Sequence, residues 1–286
     1  MNLLVNSGAG LKMLTLNQAI NGKGLASKAV KALIDEALLT PKPGLVDAGN
    51  SGSHSDMSIE LMLRSAQALE TTFREIANVS YLHPINQELR EKIAFIGRQG
   101  EKEMLLATGG VNTHKGAIWA IGLLTSARAV FPEENDPYKL MEVAGEIASF
   151  QDRYEPALKT HGQEVKKKYR IISAKDEAQH GFPMIQNAGL PALLSARKAG
   201  KSEQEARIES LLALMASVDD TCILHRGKWS DLIEIKRLAK EFLLWDGFGT
   251  SIGRKTFDRL TEYCESRKLS PGGSADLLAA TLFLIS

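Results

Sequence analysis

Residues 109–116 (GGVNTHKG) place two glycines, an amide, a hydroxyl, an imidazole and an ammonium group directly before an apolar run that predicts a helix. The first turn of a helix has unpaired N–H groups and a partial positive charge, so it suits a phosphate. Thr113 can cap this helix, and Lys115 can add a point charge for a phosphate. Glycine pairs and Asn-Thr caps are also common in loops that precede helices, so this segment can instead have only a structural role. The spacing of a Walker A loop is absent.

Residues 40–57 put Asp47, His54 and Asp56 on one glycine-rich loop. Mg²⁺ prefers a few carboxylates together with phosphate oxygens of the substrate, so this loop is a candidate Mg²⁺ site. Asp56 or Ser58 can instead cap the next helix, and His54 can be a loop histidine bonded to backbone. The spacing excludes an EF-hand loop, and the scattered histidines and cysteines do not form a usual zinc pattern.

Two further segments place polar groups at helix ends. Asp219 and Asp220 are predicted to close an apolar helix, where negative charge opposes the helix dipole. The negative charge of such a pair needs to be compensated by a metal ion or by Arg226, unless the pair lies at a helix end that is exposed to solvent. In the segment SPGGSADLLA, Ser274 is predicted to be the N-cap of a helix, with Asp276 in its first turn.

Nucleophilic catalysis by the protein is not indicated. No serine lies in a G-x-S-x-G elbow, and neither Cys222 nor Cys264 lies beside a plausible base. The remaining groups are glycine-rich helix starts, a lysine, a His-Arg pair and several carboxylates. They indicate a phosphate-bearing ligand, a nucleotide with Mg²⁺, and leave the reaction open. Trp119 is a candidate for stacking on the base, although a tryptophan in an apolar helix more often belongs to the core.

Helical periodicity dominates the elements that would position these groups. Apolar residues recur at i, i+3, i+4, i+7 and i+8, and VKKKYRIIS is the only strand candidate. We predict an all-α fold, a single compact domain of about ten helices over residues 1–286. Asp136 is predicted to cap one helix, with Pro137 at its first position. The helices are predicted at about 25–40, 56–77, 86–107, 114–124, 135–151, 189–199, 202–216, 229–244, 253–267 and 274–285.

Composition narrows the class of protein. Lys and Arg number 35 against 34 Asp and Glu, so the basic excess of a nucleic-acid-binding protein is missing. Two cysteines in 286 residues are too few for a disulfide framework and favour a reducing compartment. The first residues lack the pattern of a secretory signal. The longest apolar run is about half of the roughly 20 residues that a membrane span needs. We therefore expect a cytoplasmic protein with no membrane segment.

The motifs LTPKPGLVD, NSGSHSDM, TGGVNTHKGAI, DEA…GFP, DT…LHRG and SPGGSADLLAAT occur in this order. In this respect the chain resembles the triphosphoribosyl-dephospho-CoA synthase family over about 29–283. The resemblance implies that the 2′-hydroxyl of 3′-dephospho-CoA displaces adenine from C1 of the ATP ribose, while the triphosphate stays intact. The product is 2′-(5″-triphosphoribosyl)-3′-dephospho-CoA, the precursor of a prosthetic group on the acyl carrier subunit of malonate decarboxylase or citrate lyase. A holo-acyl-carrier-protein synthase would use it downstream, and a homo-oligomer fits this class.

The resemblance also implies roles for the residues. The reaction requires an acid, because adenine leaves poorly without a proton, and a base for the attacking hydroxyl. It also requires a negatively charged group that stabilises the oxocarbenium character of C1. We expect Asp47, Asp56 and Asp220 to serve base and metal roles, with Asp56 and Asp220 as Mg²⁺ ligands. Glu177 is a second candidate base. Substrate or phosphate contacts are expected from Lys42, His54, Asn112, Thr113, His114, Lys115, Lys175, His225, Arg226 and Ser274.

The chain departs from the family pattern at four positions. Lys175 and Asp176 stand where the family has Arg and Gly, so a bidentate fork becomes a point charge and a neutral position becomes acidic. Cys222 and Lys228 replace Asn and Gly in a second loop. Both loops are expected to contact nucleotide, so these changes bear on substrate binding. NSGSHSDM followed by LMLRSAQAL is more similar to the malonate decarboxylase branch.

Two other functions stay open. An Mg²⁺-dependent all-α hydrolase of nucleotides or ADP-ribosyl groups would share the carboxylate-rich loops, with water as the acceptor. A non-catalytic helical adaptor of the carrier protein would bind no nucleotide. The number of donor-rich helix starts argues against the adaptor.

Overall fold

The computed structural model describes residues 7–156 and 161–286. These residues form fourteen α-helices, one π-helical turn and one 3₁₀ turn, and no β-strand occurs among them. The all-α prediction is confirmed. The helices are α1 Ser7–Leu38, α2 Ile59–Ala68, α3 Glu70–Ser80, α4 Gln87–Thr108, α5 Lys115–Val130, α6 Pro137–Ser149, α7 His161–Tyr169, α8 Ala174–Gln179, α9 Leu190–Lys198, α10 Glu203–Ser217, α11 Thr221–Arg226, α12 Trp229–Leu244, α13 Ser251–Ser266 and α14 Gly272–Leu284.

Local capping explains where several helices begin. The Ser58 side chain caps α2, so Ser58 and not Asp56 is the cap. Asp136 caps α6 with Pro137 in the first turn, as predicted. Ser202 closes a capping box with Glu205 at the start of α10. The helix count exceeds ten because short helices such as α8 and α11 lack the length that a periodic pattern needs, and because one predicted helix divides into α2 and α3.

The strand candidate VKKKYRIIS does not form a strand, in agreement with the all-α prediction. Its first part belongs to α7, and its last residues precede α8 without forming a strand. Val165 and Tyr169 are one helical turn apart, and Tyr169 stacks on Trp229 with ring centroids 6.0 Å apart. A lone β-branched run also finds no partner strand in the described part of the chain, so packing on neighbouring helices decides its conformation.

Helices α5 and α14 lie in the centre of the core. Both are apolar around most of their circumference and are buried along most of their length, as expected for interior helices. They pack on each other, and α1, α3 and α6 pack on α5. One continuous cluster of buried side chains runs from α1 to α14. A single domain over 1–286 includes residues outside the described ranges and stays a prediction.

No helix in the described ranges combines the length and apolar character that a membrane span requires. The cytoplasmic location and the homo-oligomer stay predictions.

Candidate active site

The N-terminus of α5 carries the segment singled out in the sequence. Thr113 was expected to cap this helix, and that expectation is wrong. Its Oγ1 lies 2.6 Å from Ser65 Oγ, which also lies 2.8 Å from His114 Nδ1. His114 is the N-cap by position and makes no side-chain capping bond. Asn112 Oδ1 instead accepts a hydrogen bond from the Lys115 N–H at 3.3 Å.

The imidazole of His114 is closed off from solvent. The residue is 2 % exposed, and its Nε2 atom is buried without a hydrogen-bond partner. Burial, with a smaller effect from the charge of Lys42, lowers the pKa of His114 to about 3. His114 is therefore neutral at ordinary pH, and any substrate contact it makes is a hydrogen bond and not an ion pair.

A carboxylate from α14 occupies the first turn of α5. A Cβ atom added to Gly116 would lie 2.0 Å from Asp276 Oδ2, so glycine leaves the space that this carboxylate occupies and a larger residue would displace it. Burial and the nearby carboxylates of Glu36 and Asp220 raise the pKa of Asp276 well above its usual range, and the Ala117 N–H opposes that rise. The chain itself therefore places a carboxyl group at this helix start, and the surroundings favour the uptake of a proton by that group.

Asp220 has the same relation to the N-terminus of α14. Ser274 is not the N-cap; it lies in the first turn of α14 and donates from its N–H to Asp220 Oδ2 at 2.8 Å and from its hydroxyl at 3.0 Å. Gly273 donates its N–H to Asp220 Oδ1 at 3.3 Å. Cys222 in α11 donates to the same oxygen at 2.9 Å, so one carboxylate caps two helices. Burial raises the pKa of Asp220, and these donors oppose the rise.

The expected unfavourable helix end at Asp219 and Asp220 is also wrong. Helix α10 already ends at Ser217, and Asp220 begins α11, where its charge favours the helix dipole. Asp219 forms an ion pair with Lys236 at 2.6 Å. Neither carboxylate needs the compensating metal ion or Arg226 that the sequence suggested.

Asp47 organises the loop before α2. Its Oδ1 accepts the N–H groups of Gly49 and Asn50 at 2.7 and 2.9 Å, and its Oδ2 accepts the Lys42 N–H at 2.9 Å. The residue is 1 % exposed. This geometry gives Asp47 a structural task and lends no support to the base role.

Lys42 is turned inward as well. Its ammonium group donates to the Glu36 carboxylate and to the Glu36 carbonyl, both at 2.6 Å, inside the protein. A buried pair of this kind is broken only at high cost, because the remaining charge loses its partner. The expected phosphate contact by Lys42 stays a prediction.

His54 joins the first loop to α11. Its Nε2 lies 2.8 Å from Ser270 Oγ, and Arg226 donates to its Nδ1 at 3.2 Å. Burial and the charge of Arg226 lower the pKa of His54, while Asp56, 3.6 Å away, opposes them. The carboxylate of Asp56 is more than half exposed. His225 and Arg226 lie exposed in the last turn of α11, so a ligand can reach this edge.

Glu177 in α8 combines burial with an incomplete hydrogen-bond set. It is 5 % exposed; its Oε1 accepts the Met184 N–H at 2.7 Å, whereas its Oε2 is buried without a partner. Burial raises the pKa of Glu177 to about 7. Close to neutral pH this carboxyl group can therefore either give or take a proton.

The two departures in α8 have structural explanations. Lys175 is exposed and pairs with Glu155 at 2.9 Å. Asp176 closes a capping box with Ser173, which a glycine at this position could not do, and also pairs with Lys166. Asp176 therefore stabilises the start of α8.

Trp119 connects α5 to α8. Its indole N–H donates to the Ala174 carbonyl at 3.1 Å, and the guanidinium of Arg90 lies 5.0 Å from its ring centroid. Ala174 is one turn before Glu177 in α8. The accessible face of α5 thus runs from Lys115 and Gly116, beside Asp276, to Trp119, beside α8.

The structure therefore brings together residues from distant parts of the sequence. The predicted residues Asn112, Thr113, His114 and Lys115 lie around the start of α5. Asp276 lies beside the same helix start, and the charge of Asp220, which accepts a hydrogen bond from Ser274, acts on Asp276. Sequence reasoning missed the importance of Asp276 and Glu36. No local signal identifies either residue, because each acts on a helix start more than 70 positions away.

The residues do not form a ready metal site. Within the described ranges, no group of three or more His, Cys, Asp or Glu side chains is arranged to hold a metal ion. The oxygens of Asp220 already accept hydrogen bonds from α11 and α14, whereas Asp56 is exposed. The two predicted Mg²⁺ ligands therefore differ in availability, and both stay predictions.

Comparison with known proteins gives one consistent result. A family model described as ATP:dephospho-CoA triphosphoribosyl transferase matches residues 23–286. A 2-(5″-triphosphoribosyl)-3′-dephosphocoenzyme-A synthase from Klebsiella pneumoniae is 43 % identical over 260 residues, covering 91 % of this chain and 93 % of the relative. Proteins named as probable enzymes of this kind from Stutzerimonas stutzeri and Pseudomonas putida are each 45 % identical, over 91 % of this chain and 90 % and 93 % of their own. No solved structure is significantly similar.

Proposed function

Since this chain belongs to the ATP:dephospho-CoA triphosphoribosyl transferase family, we propose that it transfers the triphosphoribosyl group of ATP to 3′-dephospho-CoA. The 2′-hydroxyl of dephospho-CoA attacks C1 of the ATP ribose, adenine leaves and the three phosphates are kept. The observation that carries the proposal is the match over 23–286, which includes every polar segment at the site described above.

Departure of adenine is the demanding step. The bond from C1 to the adenine nitrogen breaks with its electron pair on adenine, and C1 gains positive charge. A proton donor lowers the barrier by neutralising the leaving group. Glu177 supports this role because it is buried, keeps one oxygen without a partner and has a pKa of about 7. We assign it the acid role in the forward direction, where the sequence had suggested a base.

Mg²⁺ is part of the proposal. When bound with ATP, it would neutralise phosphate charge. Phosphate oxygens would provide most of its ligands, and the exposed carboxylate of Asp56 is the predicted ligand that is free to join them.

One mixture tests the proposed reaction. Purified protein, ATP, Mg²⁺ and 3′-dephospho-CoA are incubated, and adenine and product mass are followed by chromatography and mass spectrometry. We expect adenine only when both substrates are present, together with a product that keeps three phosphates. Adenine without dephospho-CoA would indicate a hydrolase. Absence of nucleotide binding would indicate an adaptor.

Lys115 is expected to contribute to ATP binding. Its ammonium group lies at the accessible start of α5 and pairs with Glu101 at 2.8 Å, with both side chains partly exposed. The substitution Lys115→Ala should raise KM for ATP about 10-fold and change kcat less than about 3-fold, because it removes a charge that binds substrate and transition state alike. Stability should change little, since exposed ion pairs contribute about 0–1 kcal/mol.

The control for this variant is Lys139→Ala. Lys139 also forms an exposed ion pair, with Glu134 at 3.6 Å, but lies on α6. Steady-state kinetics give KM for ATP for both variants, and we expect KM to rise only in Lys115→Ala. An equal rise in KM for both would mean that general surface charge, and not the start of α5, attracts ATP.

We further propose that the product supplies malonate decarboxylase. The segments NSGSHSDM and LMLRSAQAL, similar to that branch, support this assignment. Deletion of the gene in its host should leave the acyl carrier subunit of malonate decarboxylase without its prosthetic group, measured as the mass of the intact subunit. Loss from the carrier of citrate lyase alone would assign the chain to the other pathway.

A further inference from the structure

We propose that Asp276 is the general base that accepts the proton of the attacking ribose hydroxyl. This inference rests on the proposed transfer and adds a residue that the motif comparison did not place in the reaction. The candidates from the sequence were Asp47, Asp56, Glu177 and Asp220. The structure separates Asp276 from them by its surroundings.

Access is the first argument. Both oxygens of Asp47 and both oxygens of Asp220 already accept hydrogen bonds from backbone N–H groups, so these carboxylates hold a loop and helix starts in place. Glu36 is also buried and bonds to Lys42. Asp276 is only partly buried. Of the three carboxylates Glu36, Asp220 and Asp276, it is the one open to a ligand, and the partly exposed Glu101 near the start of α5 is paired with Lys115 at 2.8 Å.

The backbone around Asp276 is the second argument. Gly116, Gly272 and Gly273, at the first turns of α5 and α14, are all partly exposed. A Cβ atom on Gly116 would lie 2.0 Å from the Asp276 carboxylate. An added Cβ on Gly272 would lie 3.0 Å from Cys222 Sγ, and one on Gly273 would lie 3.2 Å from Asp220. The three glycines therefore let side chains pack directly on these partly exposed helix starts and hold the Asp276 carboxylate against the backbone of α5.

An unpartnered polar group lies at the same helix start. His114, the N-cap of α5, keeps its Nε2 atom buried without a hydrogen-bond partner. A neutral imidazole nitrogen left in this state is uncommon in a folded protein and indicates a position completed by a ligand. His114 is two residues before Gly116, so this imidazole belongs to the same helix start as the Asp276 carboxylate.

The electrostatics agree with a base. Glu36 and Asp220 are the negative charges that act on Asp276, and they favour uptake of a proton by its carboxylate. Lys42, which is buried beside Glu36, is already paired with that carboxylate at 2.6 Å. A proton arriving at Asp276 therefore relieves repulsion in this group.

The proposed step balances without another reactant. The hydroxyl oxygen of dephospho-CoA forms a bond to C1 of the ATP ribose as the bond from C1 to adenine breaks with its electrons on adenine. The hydroxyl proton moves to Asp276, and Glu177 gives a proton to adenine. Proton exchange with solvent then returns Asp276 to its ionised form and Glu177 to its protonated form. In an oxocarbenium-like transition state, leaving-group departure precedes attack, so the base contributes less than the acid.

The test is Asp276→Asn, which keeps the size of the side chain and removes its basicity. We expect kcat to fall about 100-fold, within the usual range for one proton-transfer group, and KM for ATP to change less than about 3-fold. The low-pH limb of kcat/KM in the natural protein should disappear in this variant. Asp258→Asn, an exposed acid on α13, is the matched control and should keep full activity.

A second variant covers the case in which Asp276→Asn folds poorly. Gly116→Ala keeps the carboxylate but forces it away from α5, and should lower kcat to a similar extent. Gly97→Ala is its control, because an added Cβ there meets nothing closer than Ile118 at 3.9 Å. Near-normal kcat for both Asp276→Asn and Gly116→Ala would overturn the proposal for Asp276. Absence of product with the natural protein would overturn the transfer reaction itself.

Discussion

Substitution of Asp220 by alanine is expected to lower the free energy of unfolding by about 3–5 kcal/mol, the range for losing a buried, fully bonded carboxylate. Its two oxygens accept from Cys222 in α11 and from Gly273 and Ser274 in α14. Alanine would leave these donors buried without partners at the starts of two helices. Urea unfolding followed by circular dichroism measures the loss.

The neighbouring acid provides the matched control. Asp219 is partly exposed and forms one ion pair, with Lys236, so Asp219→Ala should cost less than about 1 kcal/mol. Asp220→Asn should lie between the two, because its amide keeps one acceptor oxygen but turns an NH₂ group towards N–H donors. Equal losses for Asp219→Ala and Asp220→Ala would show that Asp220 does not join α11 to α14.

Local patterns allowed much of the fold to be predicted. Helix α12 begins at Trp229 and ends at Leu244, as predicted, because one run of periodic apolar residues contains the whole signal. The cap Asp136 was also predicted correctly, and Ser58 was one of the two caps considered for α2, since each acts within a few residues of its own position. The family assigned from the motifs is confirmed by the model match over 23–286.

The errors have a common physical cause. Thr113 and Ser274 were assigned as caps because they precede or begin apolar helices, which is the local rule. Helices α5 and α14 instead receive carboxylates from elsewhere in the chain: Asp276 at Gly116, and Asp220 at Ser274. Sequence separation hides such pairs. The chain thus positions its own acids at two helix starts where phosphate contacts were predicted, and those contacts stay predictions.

Glu177 could be selected from the sequence but its role could not. Its position before GFP marked it as a candidate base. Burial in α8, the hydrogen bond from the Met184 N–H and the Oε2 atom without a partner depend on tertiary packing. These features raise its pKa and favour proton donation, so they decide between acid and base where residue type alone does not.

Replacement of Glu177 by glutamine is accordingly expected to lower kcat about 1,000-fold, because one proton donor contributes 10²–10⁴-fold. In the natural protein, kcat should fall as pH rises through about 7, where the carboxyl group loses its proton. The glutamine variant should lose that high-pH limb and keep KM for ATP. A nucleoside triphosphate donor with a purine that leaves without protonation should restore much of its rate. An unchanged rate with such a donor would exclude proton donation by Glu177.

Stability gives an independent check of the same carboxyl group. Burial raises the pKa of Glu177 from 4.5 to about 7, so between these values the folded protein binds more protons than the unfolded chain. The natural protein should therefore lose stability as pH rises from below 4.5 through 7, by about 2–3 kcal/mol at most. Glu177→Gln has no charge to bury and should be less sensitive to pH over this interval. If the variant lost activity and both proteins showed the same pH dependence of unfolding, Glu177 would be a solvated carboxylate with an ordinary pKa, and another group would protonate adenine.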